Sequence, residues 1–130
     1  MTDQPRRSVI AVVDDDPGML QSIESLLNSA DYDVILFSTA TALLESGSLA
    51  EVDCLISDVA MPSMDGLELA RAVRAARPAL PVILITGRPD LLHQSRLQLP
   101  ADSRVFKKPF DGQELLAAVA RVLVSRHRGP

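Results

Sequence analysis

Five side chains in this sequence have the types and placement to do chemistry together: Asp14, Asp15, Asp58, Thr86 and Lys108. Each stands where an apolar run gives way to polar residues. Asp14 and Asp15 follow Val9-Ile10-Ala11-Val12-Val13, and Asp58 follows Cys54-Leu55-Ile56-Ser57. Thr86 follows Val82-Ile83-Leu84-Ile85, and Lys108 follows Val105-Phe106-Lys107. Carboxylates supply hard oxygen ligands for a divalent cation, and an ionised aspartate can also act as a nucleophile. A hydroxyl and an ammonium can stabilise charge on a group under transfer. Taken singly, none of the five is informative. The triplet Asp14-Asp15-Asp16 fits a solvated helix N-terminus, where negative charge is favoured. A lone Asp58 fits the end of a strand, and Lys107-Lys108 fits an exposed surface.

The elements that must position these residues can be read in order. Ser8–Val13 is a β-branched run that predicts a strand covered on both faces. Asp16 suits an N-cap and Pro17 the first position of a helix whose Met19, Leu20, Ile23, Leu26 and Leu27 make one apolar stripe. Asp33–Phe37 is a second strand. Ser38 is placed to cap a helix from Thr39 to about Ser46, with Leu43 and Leu44 facing inward. Cys54–Ser57 is the third strand and delivers Asp58. Pro62 and Gly66 fix a loop after it, and Asp65 and Glu68 have capping-box-like spacing before a helix to about Arg77. Val82–Ile85 is the fourth strand, ending on Thr86-Gly87. A weak helical pattern from Asp90 to about Leu97 is closed by Pro100. Val105–Lys107 is a short fifth strand. Asp111 and Glu114 cap a final helix with Leu115, Leu116, Val119, Val122 and Leu123 on one face, followed by a basic tail from Ser125 to Pro130. Five such alternations imply a parallel sheet between two helix layers, an α/β fold in which ligands bind beyond the carboxyl ends of the strands.

Composition narrows the function classes. The chain has 130 residues, the size of one domain, and no linker or repeat divides it, so a single domain over 1–130 with a core of about 8–125 is expected. A net charge of −4 argues against nonspecific nucleic-acid binding, and the tail Arg126-His127-Arg128 is too short for a DNA-binding module. Cys54, the one cysteine, lies in an apolar strand and is expected to be an inert buried thiol. No apolar run approaches a membrane span and the first residues lack a signal-peptide core, so a cytoplasmic location is expected. His93 and His127 lack the helical-bundle context of a phosphotransfer histidine and read as surface residues.

The segment Asp58-Val59-Ala60-Met61-Pro62-Ser63-Met64-Asp65-Gly66 carries more than local structure. Its pattern D-x-x-M-P-x-M-D-G closely resembles the phosphoacceptor segment of response-regulator receiver domains of bacterial two-component systems, and the resemblance extends over roughly Val9 to Leu123. It implies a doubly wound, flavodoxin-like five-stranded parallel sheet of strand order 2-1-3-4-5 with helices on both faces. Strands one and three are then neighbours and their acids converge. Two carboxylates about 4 Å apart repel by roughly 4 kcal/mol at an effective dielectric near 20. Such a cluster calls for a cation, and hard oxygens with room for water favour Mg²⁺. By resemblance, Asp14, Asp15, Asp58 and the carbonyl of Ala60 are the metal ligands. Asp58 is also the nucleophile that takes a phosphoryl group from a sensor histidine kinase or phosphotransfer protein. Thr86 hydrogen-bonds that group and Lys108, just before Pro109, pairs with it. This is a phospho-accepting signalling role rather than that of a turnover enzyme, and it implies a downstream protein target; dimerisation stays open.

Two departures from the family pattern bear on signalling. Many receivers carry Tyr or Phe three residues before the lysine, where this chain has Val105, with Phe106 one step later and facing the other way. Val105 is stiff at χ1, so an aromatic rotamer switch is not expected, and the segment Gly87 to Pro100 is the expected element of readout. Ala60 and Arg88 stand where receivers flank the path of attacking water, which implies slow self-dephosphorylation with Arg88 near the phosphoryl oxygens. Two rival readings compete with this one. A Mg²⁺-dependent aspartyl phosphatase is suggested by the D-x-D within Asp14-Asp15-Asp16, but the chain is short for such enzymes and Asp58 with its loop would be unexplained. A phosphorylation-independent binding module is disfavoured because all five side chains of the site are present.

Overall fold

The computed structural model describes residues 7–59, 66–87, 104–108 and 110–127. Ala60 to Asp65, Arg88 with the weak helical segment Asp90 to Leu97, His93 and Pro109 lie outside these residues. The strands are β1 (Val9–Val13), β2 (Asp33–Phe37), β3 (Cys54–Asp58), β4 (Val82–Thr86) and β5 (Arg104–Lys107). The α-helices are α1 (Pro17–Ser29), α2 (Ala40–Glu45), α3 (Gly66–Ala76) and α4 (Gly112–His127), with a 3₁₀ turn at Ser48–Glu51.

All neighbouring strands pair in parallel, in the order β2-β1-β3-β4-β5. The chain moves outward from β1 to β2 and then crosses back to β3, so the carboxyl ends of β1 and β3 flank the crevice where the order reverses. Alternation along the strands splits the core into two layers. Ala11, Val13, Leu55, Val82 and Leu84 pack with Ala40 and Leu43 of α2 and Leu69, Ala70 and Val73 of α3. Ile10, Val12, Cys54, Ile56, Ile83 and Ile85 pack with Leu20, Ile23 and Leu27 of α1 and Leu115, Val119, Val122 and Leu123 of α4. The sheet is thus covered on both faces, which is why its strands read as continuous apolar runs.

Local chemistry explains most boundaries. Asp16 caps α1 by accepting a hydrogen bond from the Gly18 N–H at 2.9 Å, with Pro17 at the first helical position. Asp111 accepts from the Gln113 N–H at 2.8 Å at the start of α4. Three boundary details differ from the expectation. The cap of α2 is Thr39, whose hydroxyl accepts from the Ala42 N–H at 3.0 Å, and not Ser38. Leu43 is buried but Leu44 is 36% exposed. Successive helical residues point about 100° apart, and of the two only Leu43 faces the core layer shared with α3. Finally, α4 runs through Ser125 to His127, because no Gly or Pro interrupts the pattern before Gly129.

Candidate functional site

β1 delivers Asp14 and β3 delivers Asp58 to the same edge, and both side chains are buried. Asp14 is held from its own strand outward. Its N–H donates to the Phe37 carbonyl at 3.1 Å, continuing the ladder with β2, and its Oδ1 accepts from the Asp16 N–H at 2.9 Å. One short segment therefore does two tasks: Asp16 caps α1 with its side chain and fixes the carboxylate of Asp14 with its main chain. Asp15, between them in sequence, is exposed. Asp14, Asp15 and Asp58 each offer an oxygen within 4.8 Å of the others.

Lys108 reaches this cluster from the end of β5. Its main-chain N–H donates to the Thr86 carbonyl at 2.7 Å, which extends the β4–β5 pairing by one residue and aims the side chain over the strand ends. Its Nζ lies 3.4 Å from Asp14 Oδ2 and 3.4 Å from Asp58 Oδ2. Charge-assisted contacts of this type close to about 2.7–2.9 Å when tight. The ammonium therefore sits between the two carboxylates instead of closing on either. Thr86 is fully buried at the end of β4.

The electrostatics follow from burial and from these distances. Burial is the largest influence on Asp14 and pushes its carboxyl above the ordinary 3.8. The Asp16 hydrogen bond opposes the rise, the Asp58 charge adds to it, and Lys108 opposes it by charge and hydrogen bond. Burial pulls the Lys108 ammonium down, but the charges of Asp14 and then Asp58, with hydrogen bonds to both, outweigh it and leave its pKa above the ordinary 10.5. Two acids thus share one cation. Beside that ammonium, Asp14, Asp15 and Asp58 form a cluster of hard carboxylate oxygens that could hold a metal ion.

The structure brings Asp14, Asp15, Asp58, Thr86 and Lys108 to one edge of the sheet. Ala60 and Arg88 lie outside the described residues. The Lys108–Asp14 contact was not foreseen, because the sequence pattern pairs Lys108 with an incoming group and the two residues are 94 positions apart. On β5, Val105 is 43% exposed, whereas Phe106 packs on the α1/α4 core layer, so the two do point apart. In the sequence Ser57 is no more than part of an apolar strand. It is a fully buried hydroxyl that donates to the Asp58 carbonyl at 3.1 Å, and its polarity inside an apolar run was the available signal.

Comparison with known proteins follows this geometry closely. Residues 10–120 match the family model described as the response regulator receiver domain. The chain is 35% identical over 118 residues to the response regulator protein TodT of Pseudomonas putida, covering 91% of this chain and 52% of that protein. It is 36% identical over 111 residues to the transcriptional regulatory protein FixJ of Bradyrhizobium diazoefficiens, covering 85% of this chain and 54% of that protein. The chain therefore spans about half the length of these relatives. Among solved structures, the signal receiver domain of an HD domain-containing protein from Pseudomonas fluorescens Pf-5 superposes with a TM-score of 0.85 at 33% identity, over 98% of this chain and 94% of that one. The BeF3-activated receiver domain of DrrB superposes with a TM-score of 0.80 at 30% identity, over 92% and 99%. Among the described residues, no helix is long and apolar enough to cross a membrane.

Proposed function

The chain belongs to the response regulator receiver domain family, and from that premise we propose that Asp58 is its phosphoacceptor, in a Mg²⁺-dependent transfer from the phosphohistidine of a sensor histidine kinase or phosphotransfer protein. The observation that carries this reading is the ammonium of Lys108, 3.4 Å from both Asp14 and Asp58, beside a cluster in which Asp14, Asp15 and Asp58 each offer an oxygen within 4.8 Å of the others. A carboxylate oxygen of Asp58 attacks phosphorus, the P–N bond of the donor breaks, and its electron pair returns to the imidazole. The product is an acyl phosphate on Asp58. Lys108 stands where it can exchange its contact with Asp58 for one with a phosphoryl oxygen, and Thr86 supplies a hydroxyl at the same edge. Asp14, Asp15 and Asp58, with the carbonyl of Ala60 by family resemblance, would hold Mg²⁺. When bound, the ion neutralises charge on the oxygens of the group under transfer. The chain then acts as a signalling switch whose charge change biases its conformation toward a downstream protein target.

Incubation with phosphoramidate and Mg²⁺ tests this. One phosphoryl group per chain is expected, localised to Asp58 by peptide mass spectrometry, and lost in Asp58→Asn or after chelation of Mg²⁺. Equal labelling of Asp58→Asn would overturn the assignment.

A further inference from the structure

The side chain next to the acceptor is a polar group in an apolar place. Ser57 has no exposed surface. Alternation along β3 turns it away from Asp58, toward the face of the sheet that holds Leu55 and the α2/α3 layer. Its cross-strand partners are Val13 on β1 and Leu84 on β4, both members of that apolar layer. A hydroxyl buried among such neighbours is unfavourable unless it is hydrogen-bonded, and alanine would fill the position without that penalty. The hydrogen bond it makes goes to the carbonyl oxygen of Asp58, at 3.1 Å. That carbonyl belongs to the peptide unit by which the chain leaves the strand, and the other end of the unit is also tied, because the Val59 N–H donates to the Ile85 carbonyl at 2.9 Å.

We propose that Ser57 is a positioning residue for the phosphoacceptor: its hydroxyl, acting from the opposite face of the sheet, fixes the Asp58–Val59 peptide. With that peptide held at both ends, the rotation of the Asp58 backbone is set, and with it the place from which the carboxylate faces Lys108. Losing the tether lets the carboxylate explore geometries away from in-line attack. Displacements of this kind reduce the rate even when the reacting groups are untouched. This inference rests on the reading of Asp58 as acceptor.

The experiment compares Ser57→Ala, Ser57→Thr and Ser57→Cys with the parent. Three quantities are measured: the labelling rate with phosphoramidate at saturating Mg²⁺, the urea midpoint, and the ¹⁵N shift of the Val59 amide in the unlabelled protein. Ser57→Ala is expected to slow labelling about tenfold, the factor that one net hydrogen bond supplies in a transition state. Its urea midpoint should stay close to the parent's, since the lost hydrogen bond is offset by removal of a buried hydroxyl. Thr keeps the donor and should restore the rate. Cys, closer in size to Ser but with a weak S–H donor, should restore the rate in part if Thr does not fold. The Val59 shift should move in Ala and return with the restoring variant. Parental labelling by Ser57→Ala overturns the proposal, as does a slow Ala variant that neither Thr nor Cys restores, or a Val59 shift that ignores the substitution. Failure of the acceptor assignment is seen separately, as label retained in Asp58→Asn, and leaves the Val59 measurement valid.

Discussion

The two edges of the sheet use buried charge in opposite ways. At the amino edge Asp53 is buried, and its Oδ2 accepts from the Val9 N–H at 2.8 Å while its own N–H donates to the Val9 carbonyl at 2.8 Å. There too the Arg77 guanidinium gathers the carbonyls of Leu49 and Val52, tying the end of α3 to the chain that enters β3. Each charge meets complementary main-chain groups at short range, so the edge is locked. At the carboxyl edge Asp14 and Asp58 are equally buried, but they face each other and share one ammonium at 3.4 Å. There the fold holds like charges together under strain that an incoming cation can relieve. A buried carboxylate is therefore stabilising or destabilising according to what it faces, and burial alone does not tell which.

The sharpest test of this contrast is at the locked edge. Asp53→Ala removes the acceptor of the half-buried Val9 N–H, which should lower stability by about 1–2 kcal/mol in urea unfolding. Against a total of about 5–15 kcal/mol that is a large fraction. An effect near zero would mean that the amino edge is not locked by this contact.

The opposite sign is expected at the other edge. In Asp14→Asn the amide oxygen can still accept from the Asp16 N–H, while the charge facing Asp58 disappears. The metal-free protein should gain about 1 kcal/mol, and its Mg²⁺ affinity should fall. The pH dependence follows from the direction of the shift. The folded pKa of Asp14 lies above 3.8, so at acid pH the native state binds the extra proton and the penalty is absent. The penalty appears as pH rises through 3.8 and the folded pKa, and is complete above both. The advantage of Asp14→Asn over the parent should therefore be present at neutral pH and vanish below about 3.8 in parallel urea titrations. Lys108 has a raised pKa as well, but for a cation the sign reverses. Its stabilising contribution is present below 10.5 and is lost only as pH rises through its folded value, so it is constant across this range. A destabilised Asp14→Asn would remove the distinction between the edges.

Much of the architecture was legible because its signals are local. The bounds of β2 and the Asp16-Pro17 start of α1 follow from residue types within a few positions, and the helix stripes follow from spacing. The meeting of Asp14, Asp58, Thr86 and Lys108 at one edge was legible for a second reason: they stand at strand ends in a parallel sheet, and the family pattern supplies the strand order that brings them together. What stayed hidden depends on tertiary neighbours. Nothing in Val52-Asp53-Cys54 marks Asp53 as a buried acceptor, and nothing near Arg77 points to carbonyls 25 and 28 residues away. Ser38 and Thr39 are equally good caps by composition, and only the backbone geometry, extended at Thr39, chooses between them.

A smaller strain sits in the turn after α1, and it separates strain that serves the site from strain that does not. The helix closes with the Tyr32 N–H donating to the Leu27 carbonyl at 3.2 Å and the Asp31 N–H donating to the Asn28 carbonyl at 3.0 Å. This paired pattern places the intervening residue in the left-handed region, where glycine is usual. Here it is Asp31, exposed and at φ 67°. An aspartate tolerates that conformation better than most residues but still meets its own Cβ there. Asp31→Gly should relieve this, offset in part by the greater freedom that glycine gives the unfolded chain, for a net gain of about 0.5 kcal/mol. The strain of Asp14 is tied to the site by direct contact with Lys108, whereas Asp31 lies in the α1–β2 turn and the bonds that close that turn run to Leu27 and Asn28. Stability should therefore rise while Mg²⁺ affinity and the labelling rate at Asp58 stay at parental values. A change in either would mean that the turn communicates with the carboxyl edge, and that the strain held there is not local to its acids.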